Sequence, residues 1–322
     1  MPSSPQISVL LPCYNQARYL SQAIESVLAQ ENADWELLIS NDASKDNSAE
    51  IIRAAAARDP RIRIQLHSTN LGMAANWNWC LQNARGQYVK YLFGDDYHCT
   101  PDALATLSQA LNANPQVALV TSARQIVDEN SEITDIANLL GSDGVQSGRG
   151  AIIRCLLANK NLIGEPSAVM FRRELSSRGF DSTYRQSIDL EFWAHLLEQG
   201  DLAYLSRPLC AFRRHKEQQT AINTRTRAAE QEGLRLYAKY LPLLQQYIAN
   251  GGSRHVVRCA VFRSLYFARK TRNRPPETHA SEKTLSAYLT PQGYLLHWLL
   301  HRLTKPLSNL QKLASPARVP RR

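Results

Sequence analysis

The sequence predicts an α/β fold, a mostly parallel sheet flanked by helices, and three observations predict it. Short apolar, β-rich runs recur along the first two-thirds of the chain and alternate with stretches of helical spacing. The connections between them are long enough for crossover helices, which is how parallel strands are joined. The chain has 322 residues, 44% of them hydrophobic, which is enough to bury a full core.

Ile7 to Leu11 (ISVLL) is apolar and β-rich and ends at Pro12, the pattern of a buried strand. Ala17 to Gln30 follows with Leu20, Ile24, Val27 and Leu28 on one helical face. Trp35 to Ser40 is the second strand, and Asn41 to Asn47 a polar loop. Ser48 is placed as the N-cap of the next helix, which carries Ile51 and Ile52. Ile62 to Leu66 is the third strand, Met73 to Ala84 a helix and Tyr88 to Phe93 the fourth strand. Pro101 suits the first turn of the following helix, and Val117 to Thr121 is the fifth strand. Asp128 to Gly150 is polar and glycine-containing and is expected to be a long loop. Val169 to Phe171 is a strand, Ile188 to Leu197 a helix with Leu190, Trp193 and Leu197 on its apolar side, and Leu202–Leu205 and Leu209–Phe212 two short strands. Beyond Glu217 the pattern is helical and increasingly basic, with a linker expected over Thr271 to Glu282.

The formal charge of +10 is unevenly placed. Residues 251–322 hold fourteen Lys and Arg against Glu277 and Glu282, a balance of +12, which leaves about −2 for residues 1–250. A specific nucleic-acid partner is therefore not expected, because the basic character is confined to one tail. The first residues lack the basic and apolar regions of a secretory leader, and no run of apolar residues is long enough to span a bilayer. Six scattered cysteines without CxxC spacing fit free thiols in a reducing compartment, so a cytoplasmic location is expected.

Ligands of open α/β sheets bind at the carboxyl ends of the strands. Pro12, Cys13, Tyr14 and Asn15 follow the first strand, Asn41 and Asp42 the second, and Gly94, Asp95 and Asp96 the fourth. No GxGxxG or GxxxxGK[ST] loop is present, which argues against dinucleotide-binding and P-loop enzymes. Adjacent carboxylates repel, and hard oxygen ligands suit Mg²⁺ or Mn²⁺ bound partly through substrate phosphates. The alternative for Asp95 and Asp96 is a solvated turn before the next helix. The tryptophans of Asn76-Trp77-Asn78-Trp79 cannot share one helical face, so one at most reaches the core. His297 and His301 lack the glutamate of HExxH and are read as surface residues.

Over residues 7 to about 215, the order of ISVLLPCYN, WELLISNDASKDNS, NLGMAANWN, ARGQYVKYLFGDD, GEPSAVMFRR, IDLEFW and LCAFRRH resembles the family 2 inverting glycosyltransferases, which have the GT-A fold. The resemblance implies a catalytic domain over 1–220, with a nucleotide-sugar half over about 1–100 and an acceptor half over about 101–220, followed by a basic helical extension over 221–322. It implies that Asp42 binds the nucleotide base, that Pro12 and Tyr14 line the base pocket with Asn15 beside them, and that Asn78 faces the nucleotide. It places Asp95 near the ribose or metal and Asp96 on the metal, Mg²⁺ or Mn²⁺, that bridges the phosphates. Asp189 matches the catalytic base. Glu191, two residues on, lies roughly 200° around the helix, so the two acids cannot both face the cleft. Arg213 and His215 match a diphosphate-binding pair, with basic surface residues as the alternative. Two departures stand out: Asn41 where Asp is frequent, and Phe93 in place of the first acid of the metal motif.

The implied partners are a nucleotide-sugar donor, a UDP-sugar by default, and a glycan or lipid-linked acceptor of the kind used in cell-surface polysaccharide synthesis. The rival is a non-catalytic nucleotide-sugar or glycan-binding module of the same fold. Two readings stay open for the tail. Pro291 opens a stretch with Tyr294, Leu295, Leu296, Trp298, Leu299, Leu300 and Leu303 beside Arg302, Lys305, Lys312 and Arg318. That composition suits a peripheral helix on an anionic membrane, and it equally suits a helix packed against the catalytic domain.

Overall fold

The computed structural model describes residues 4–215, 228–270 and 277–289, together with Leu295. Two compact units divide the chain, Met1–Ala229 and Glu230–Arg322.

The first unit is built on strands β1 (Ile7–Cys13), β2 (Trp35–Asn41), β3 (Ile62–Leu66), β4 (Tyr88–Tyr91), β5 (Tyr97–His98), β6 (Val117–Val127), β7 (Ile133–Ala137), β8 (Gly144–Gln146), β9 (Val169–Arg172) and β10 (Asp201–Arg213). They form one sheet in the order β3-β2-β1-β4-β9-β6-β10-β5, with β7 paired to β6 and β8 to β10. The half that follows from the alternating sequence pattern, β3-β2-β1-β4, is wholly parallel. β9 enters antiparallel between β4 and β6, and β6 and β10 run parallel beyond it. The sheet is mostly parallel, as the sequence predicts.

Helices α1 (Ala17–Leu28), α2 (Ser48–Arg58), α3 (Met73–Asn83), α4 (Ala103–Ala113), α5 (Gly148–Ala158) and α6 (Ile188–Leu197) accompany the sheet. Every residue of β1 and β2 is buried, as strands covered on both faces require. Val9, Leu11, Leu37 and Ile39 share one core cluster with Leu20, Ile24 and Val27 of α1. Trp77 is buried and Trp79 only partly so, the division that 100° per residue imposes.

The structure corrects several expectations. Ser48 is the first helical residue rather than the cap, because its hydroxyl accepts from Gln16 N (3.2 Å) in the loop after β1. The segment 128–150 is not one loop. It holds β7, β8 and the start of α5; the two strands lie largely exposed at the sheet margin, so no buried apolar run announces them. The two short strands after Gly200 are one, β10, interrupted by a register shift between Leu205 and Cys210 near Pro208. Helix α6 is buried nearly all round rather than on one side, and Leu190 is among its less buried residues.

The second unit holds α7 (Ala228–Lys239), which begins at the boundary, then α8 (Leu241–Ala249), α9 (Arg254–Arg269) and α10 (Glu277–Leu289). The expected linker gives way to helix from Glu277, because Thr278, Leu285 and Leu289 are buried there. Among the described residues no helix is long and apolar enough to cross a membrane. The apolar stretch from Pro291 to Leu303 lies outside the described residues, save Leu295, which is exposed.

Candidate active site

Parallel strands β1, β2 and β4 end side by side, so the loops after them share one edge. Hydrogen bonds lace the first two loops together. Asn15, in the left-handed conformation (φ 53°), donates its N–H to Ser44 Oγ (2.9 Å) and accepts from Lys45 N on Oδ1 (2.8 Å). Asp46 accepts from Ala17 N (2.9 Å) and Ser48 N (3.1 Å). Asn15 therefore shapes the loop. Pro12 is buried at the end of β1, and Tyr14, two residues on, is 46% exposed.

Asp42 is buried, and its two carboxylate oxygens accept from Leu71 N (2.6 Å) and Gly72 N (3.0 Å), while its carbonyl accepts from Asn70 Nδ2 (3.0 Å). Each oxygen keeps a lone pair for a further donor. Asn78 is bonded to the chain at Phe180. Its Nδ2 donates to Phe180 O (2.9 Å) and its Oδ1 accepts from Phe180 N (2.8 Å), so the expectation that it faces the nucleotide is corrected: both polar atoms are bonded to backbone 102 residues away.

The turn Phe93-Gly94-Asp95-Asp96 closes on Asp96 N donating to Phe93 O (3.0 Å). A Cβ on Gly94 would lie 2.6 Å from Gln16 Oε1, so glycine lets the turn approach α1. Asp95 faces His215, with Oδ2 and Nε2 3.1 Å apart, and Gln16 Nε2 donates to its Oδ1 (3.4 Å). Asp96 is buried. Oδ1 accepts from Arg213 N (3.0 Å); Oδ2 has no partner of good hydrogen-bond geometry, with the Ser167 hydroxyl nearby. Burial, and then the charge of Asp95, push the Asp96 carboxyl well above the usual carboxylate range.

Arg213 is also buried, and its guanidinium donates to Asp95 O (2.9 Å), Asp128 O (2.9 Å), Ser131 Oγ (3.1 Å) and Gln22 Oε1 (2.7 Å), under the ring of Tyr19. This corrects its expected place on a diphosphate. Four protein acceptors hold it beneath the acidic turn, where it orients Asp95 and Asp96. His215 does reach the site edge.

Helix α6 begins with two acids in contrasting surroundings. Glu191 is buried and accepts both terminal nitrogens of Arg178 at 2.7 Å, a bidentate structural pair. Asp189 keeps some exposure, and its oxygens accept from Leu190 N (2.7 Å) and Asn161 Nδ2 (2.9 Å). Burial, with the charge of Glu165, pushes its carboxyl up to about 7 against the hydrogen bonds that favour ionisation. The geometry thus separates the two acids as the helical spacing requires.

Three polar residues that the sequence reading did not single out connect these halves. Glu165 pairs with buried Arg124, and its charge reaches both Asp96 and Asp189. Ser167 Oγ accepts from Phe93 N (3.1 Å), tying the segment before β9 to the acidic turn. Lys90, fully buried in β4, donates to Tyr91 O (2.9 Å) and Ser167 O, and burial pulls it down to about 8. A lone cation in the apolar run YVKYLF was the signal that could have found it.

A buried carboxylate oxygen on Asp96 without a hydrogen-bond partner of good geometry, with Asp95 and His215 adjoining, fits a hard divalent cation that draws its remaining ligands from substrate phosphates and water. Among the described residues, no group of three acids, histidines or cysteines forms a complete protein cage.

Residues 8–180 match the sequence model of Glycosyl transferase family 2. An uncharacterized protein of Mycobacterium tuberculosis (strain CDC 1551 / Oshkosh) is 32% identical over 226 residues, 66% of this chain and 68% of its own length. Chondroitin synthase of Pasteurella multocida is 27% identical over 203 residues, 63% of this chain; the match spans only 20% of the synthase. S. aureus TarS, residues 1–349 in complex with UDP-GlcNAc, is similar in structure with a TM-score of 0.60 at 14% identity, covering 92% of both chains. Mannosyltransferase PcManGT from Pyrobaculum calidifontis, in complex with GDP-Man and Mn²⁺, gives a TM-score of 0.58 at 16% identity over 97% of this chain and 84% of its own. At these identities the structural likeness is one of fold.

Proposed function

Because the chain belongs to Glycosyl transferase family 2, we propose that it transfers a sugar from a nucleotide diphosphate, preferably UDP, to an acceptor hydroxyl in cell-surface glycan synthesis, inverting the anomeric centre. The observation that carries this is a pair of acids, Asp96 in the turn after β4 and Asp189 at the start of α6, that share Glu165 as a charged neighbour. Asp96 has a buried oxygen without a hydrogen-bond partner of good geometry, and burial pushes Asp189 up to about 7. In this reading Asp42 accepts a proton of the base, with Pro12 and Tyr14 lining its pocket. Asp96 would hold Mg²⁺ or Mn²⁺, with Asp95 and His215 beside it. A divalent cation, when bound, neutralises charge on the leaving diphosphate. Asp189 Oδ takes the acceptor hydroxyl proton as that oxygen attacks the anomeric carbon, and a carboxylate tuned to operating pH suits a general base. The nucleotide sugars bound to TarS and PcManGT, and the Mn²⁺ of the latter, support a donor and an ion of this kind.

The experiment is donor hydrolysis over a panel of UDP-, dTDP- and GDP-sugars with Mn²⁺, Mg²⁺ or chelator. Cation-dependent release of UDP from one donor is expected. Binding without hydrolysis or transfer would instead identify a non-catalytic module.

We also propose that the basic tail holds the enzyme on the anionic cytoplasmic face of a membrane, where lipid-linked acceptors are presented. Its support is sequence alone: +12 over residues 251–322 beside an apolar stretch with Tyr and Trp.

A further inference from the structure

Asn161 lies between α5 and the turn at Gly164, and all of its amide is engaged. Oδ1 accepts from Ile163 N and Gly164 N, both at 3.0 Å. Nδ2 donates to Gly164 O at 3.0 Å and to Asp189 Oδ2 at 2.9 Å. One side chain thus folds the turn that precedes Glu165 and reaches across 28 residues to the acid of α6. That turn has a second anchor, since Trp193 Nε1 also donates to Gly164 O at 3.0 Å. Gly164 has φ +127°, and a Cβ there would press on Arg124 at 3.2 Å, so the turn brings backbone against the cation that pairs with Glu165.

The geometry points to Asn161 as the positioning residue of the general base: its Nδ2–H fixes the Asp189 carboxylate and favours its ionised form. This rests on the reading of Asp189 as the base. The other oxygen is held by Leu190 N in the first turn of α6, where helix N–H groups also favour an anion. With one donor on each oxygen the carboxylate cannot swing, and the remaining lone pairs are left for the acceptor hydroxyl. The charged or titratable groups facing Asp189 are Glu165, itself paired with Arg124 of β6, and the Cys155 thiol of α5. Glu165 opposes ionisation, and Asn161 opposes Glu165.

Asn161→Asp tests this role. It keeps the size and the Oδ1 acceptor for Ile163 N and Gly164 N, removes both Nδ2 donors, to Asp189 Oδ2 and to Gly164 O, and sets a second acid against Asp189, while Trp193 Nε1 still holds Gly164 O. In single-turnover transfer at pH 7 its rate should fall on the order of 10- to 100-fold. Donor KM should stay unchanged, the acidic limb of the pH profile should move upward by about one unit or more, and activity should return toward pH 9. Asn161→Ala, which loses the donor without adding charge, should move the limb less, and thermal melting checks that both variants fold. An unmoved limb in both variants, or wild-type rate in Asn161→Asp, overturns the proposal. Asp189→Asn tells the two failures apart. If it stays active, the base assignment fails and this inference with it; if it is inactive while the limb stays put, only the role of Asn161 is lost.

Discussion

Asp96 and Asp189 are both pushed toward their protonated forms by burial, yet the consequences differ. Asp96 must ionise to bind a cation, so binding releases a proton and affinity should fall as pH falls. Mn²⁺ titration calorimetry over a pH series checks this, and Asp96→Asn should abolish the binding and lower transfer by about 10²–10³ while the fold persists. Asp189 carries a stability signature. Its folded pKa of about 7 exceeds the usual carboxylate value, so the folded protein keeps this proton where the unfolded chain has lost it. Its contribution is therefore fully present below about pH 4, declines as pH rises through about 7, and is flat above that. Asp189→Asn should melt higher than wild type at pH 8, on the order of a few kcal/mol at most, and the gain should vanish toward pH 4. The same variant should retain donor binding and lose about 10²–10⁴ in transfer rate.

At the scale of elements, α6 assigns its two acids by their surroundings. Glu191→Gln breaks the bidentate pair with Arg178, which is only part exposed, so stability should fall by about 1–3 kcal/mol in urea unfolding while transfer per folded molecule stays near wild type. The opposite pattern would move the base to Glu191. The approach of β1 to the chain entering β4 is equally specific. Ser8 Oγ donates to Glu36 Oε1 (2.6 Å) and accepts from Arg85 N (3.0 Å) and Gly86 N (2.8 Å). A Cβ on Gly86 would lie 2.4 Å from Ser8 N and 2.7 Å from Ile7 C, backbone atoms that cannot turn aside. Gly86→Ala should therefore cost about 1–3 kcal/mol or more and lower the urea midpoint, with residual activity tracking the folded fraction.

For the whole molecule, the charge asymmetry gives the sharpest test. Leu285 and Leu289 of α10 are fully buried, so a truncation that spares the second unit's core has to fall after Leu289. That variant should keep donor hydrolysis but stay in the supernatant with anionic vesicles at low salt, where the full chain sediments; each Lys or Arg near such a surface contributes about 1 kcal/mol. If both forms stay in the supernatant, the tail has no membrane role. High salt should release the full chain in proportion to the electrostatic share.

The buried runs ISVLL and WELLIS, with helices of clear 3.6-residue spacing between strands, determined the parallel half of the sheet from sequence alone, because strands covered on both faces must be apolar throughout. The ends of those strands likewise determined where Asp42, Asp95 and Asp96 would gather. β7 and β8 escaped that reading because exposed margin strands carry no burial pattern, and β10 because its bulge at Pro208 splits one strand into two apparent ones. Only the tertiary structure decided which polar groups belong to the site. Asn78 and Arg213 look like ligand-binding residues in sequence and are bonded to the protein itself, whereas three residues look ordinary yet bear on the acids: Glu165 is a charged neighbour of both, Asn161 bonds Asp189, and Lys90 lies buried near Asp96. The physical reason is that a side chain's hydrogen-bond partners lie on segments as much as 191 residues away, and no local pattern records them.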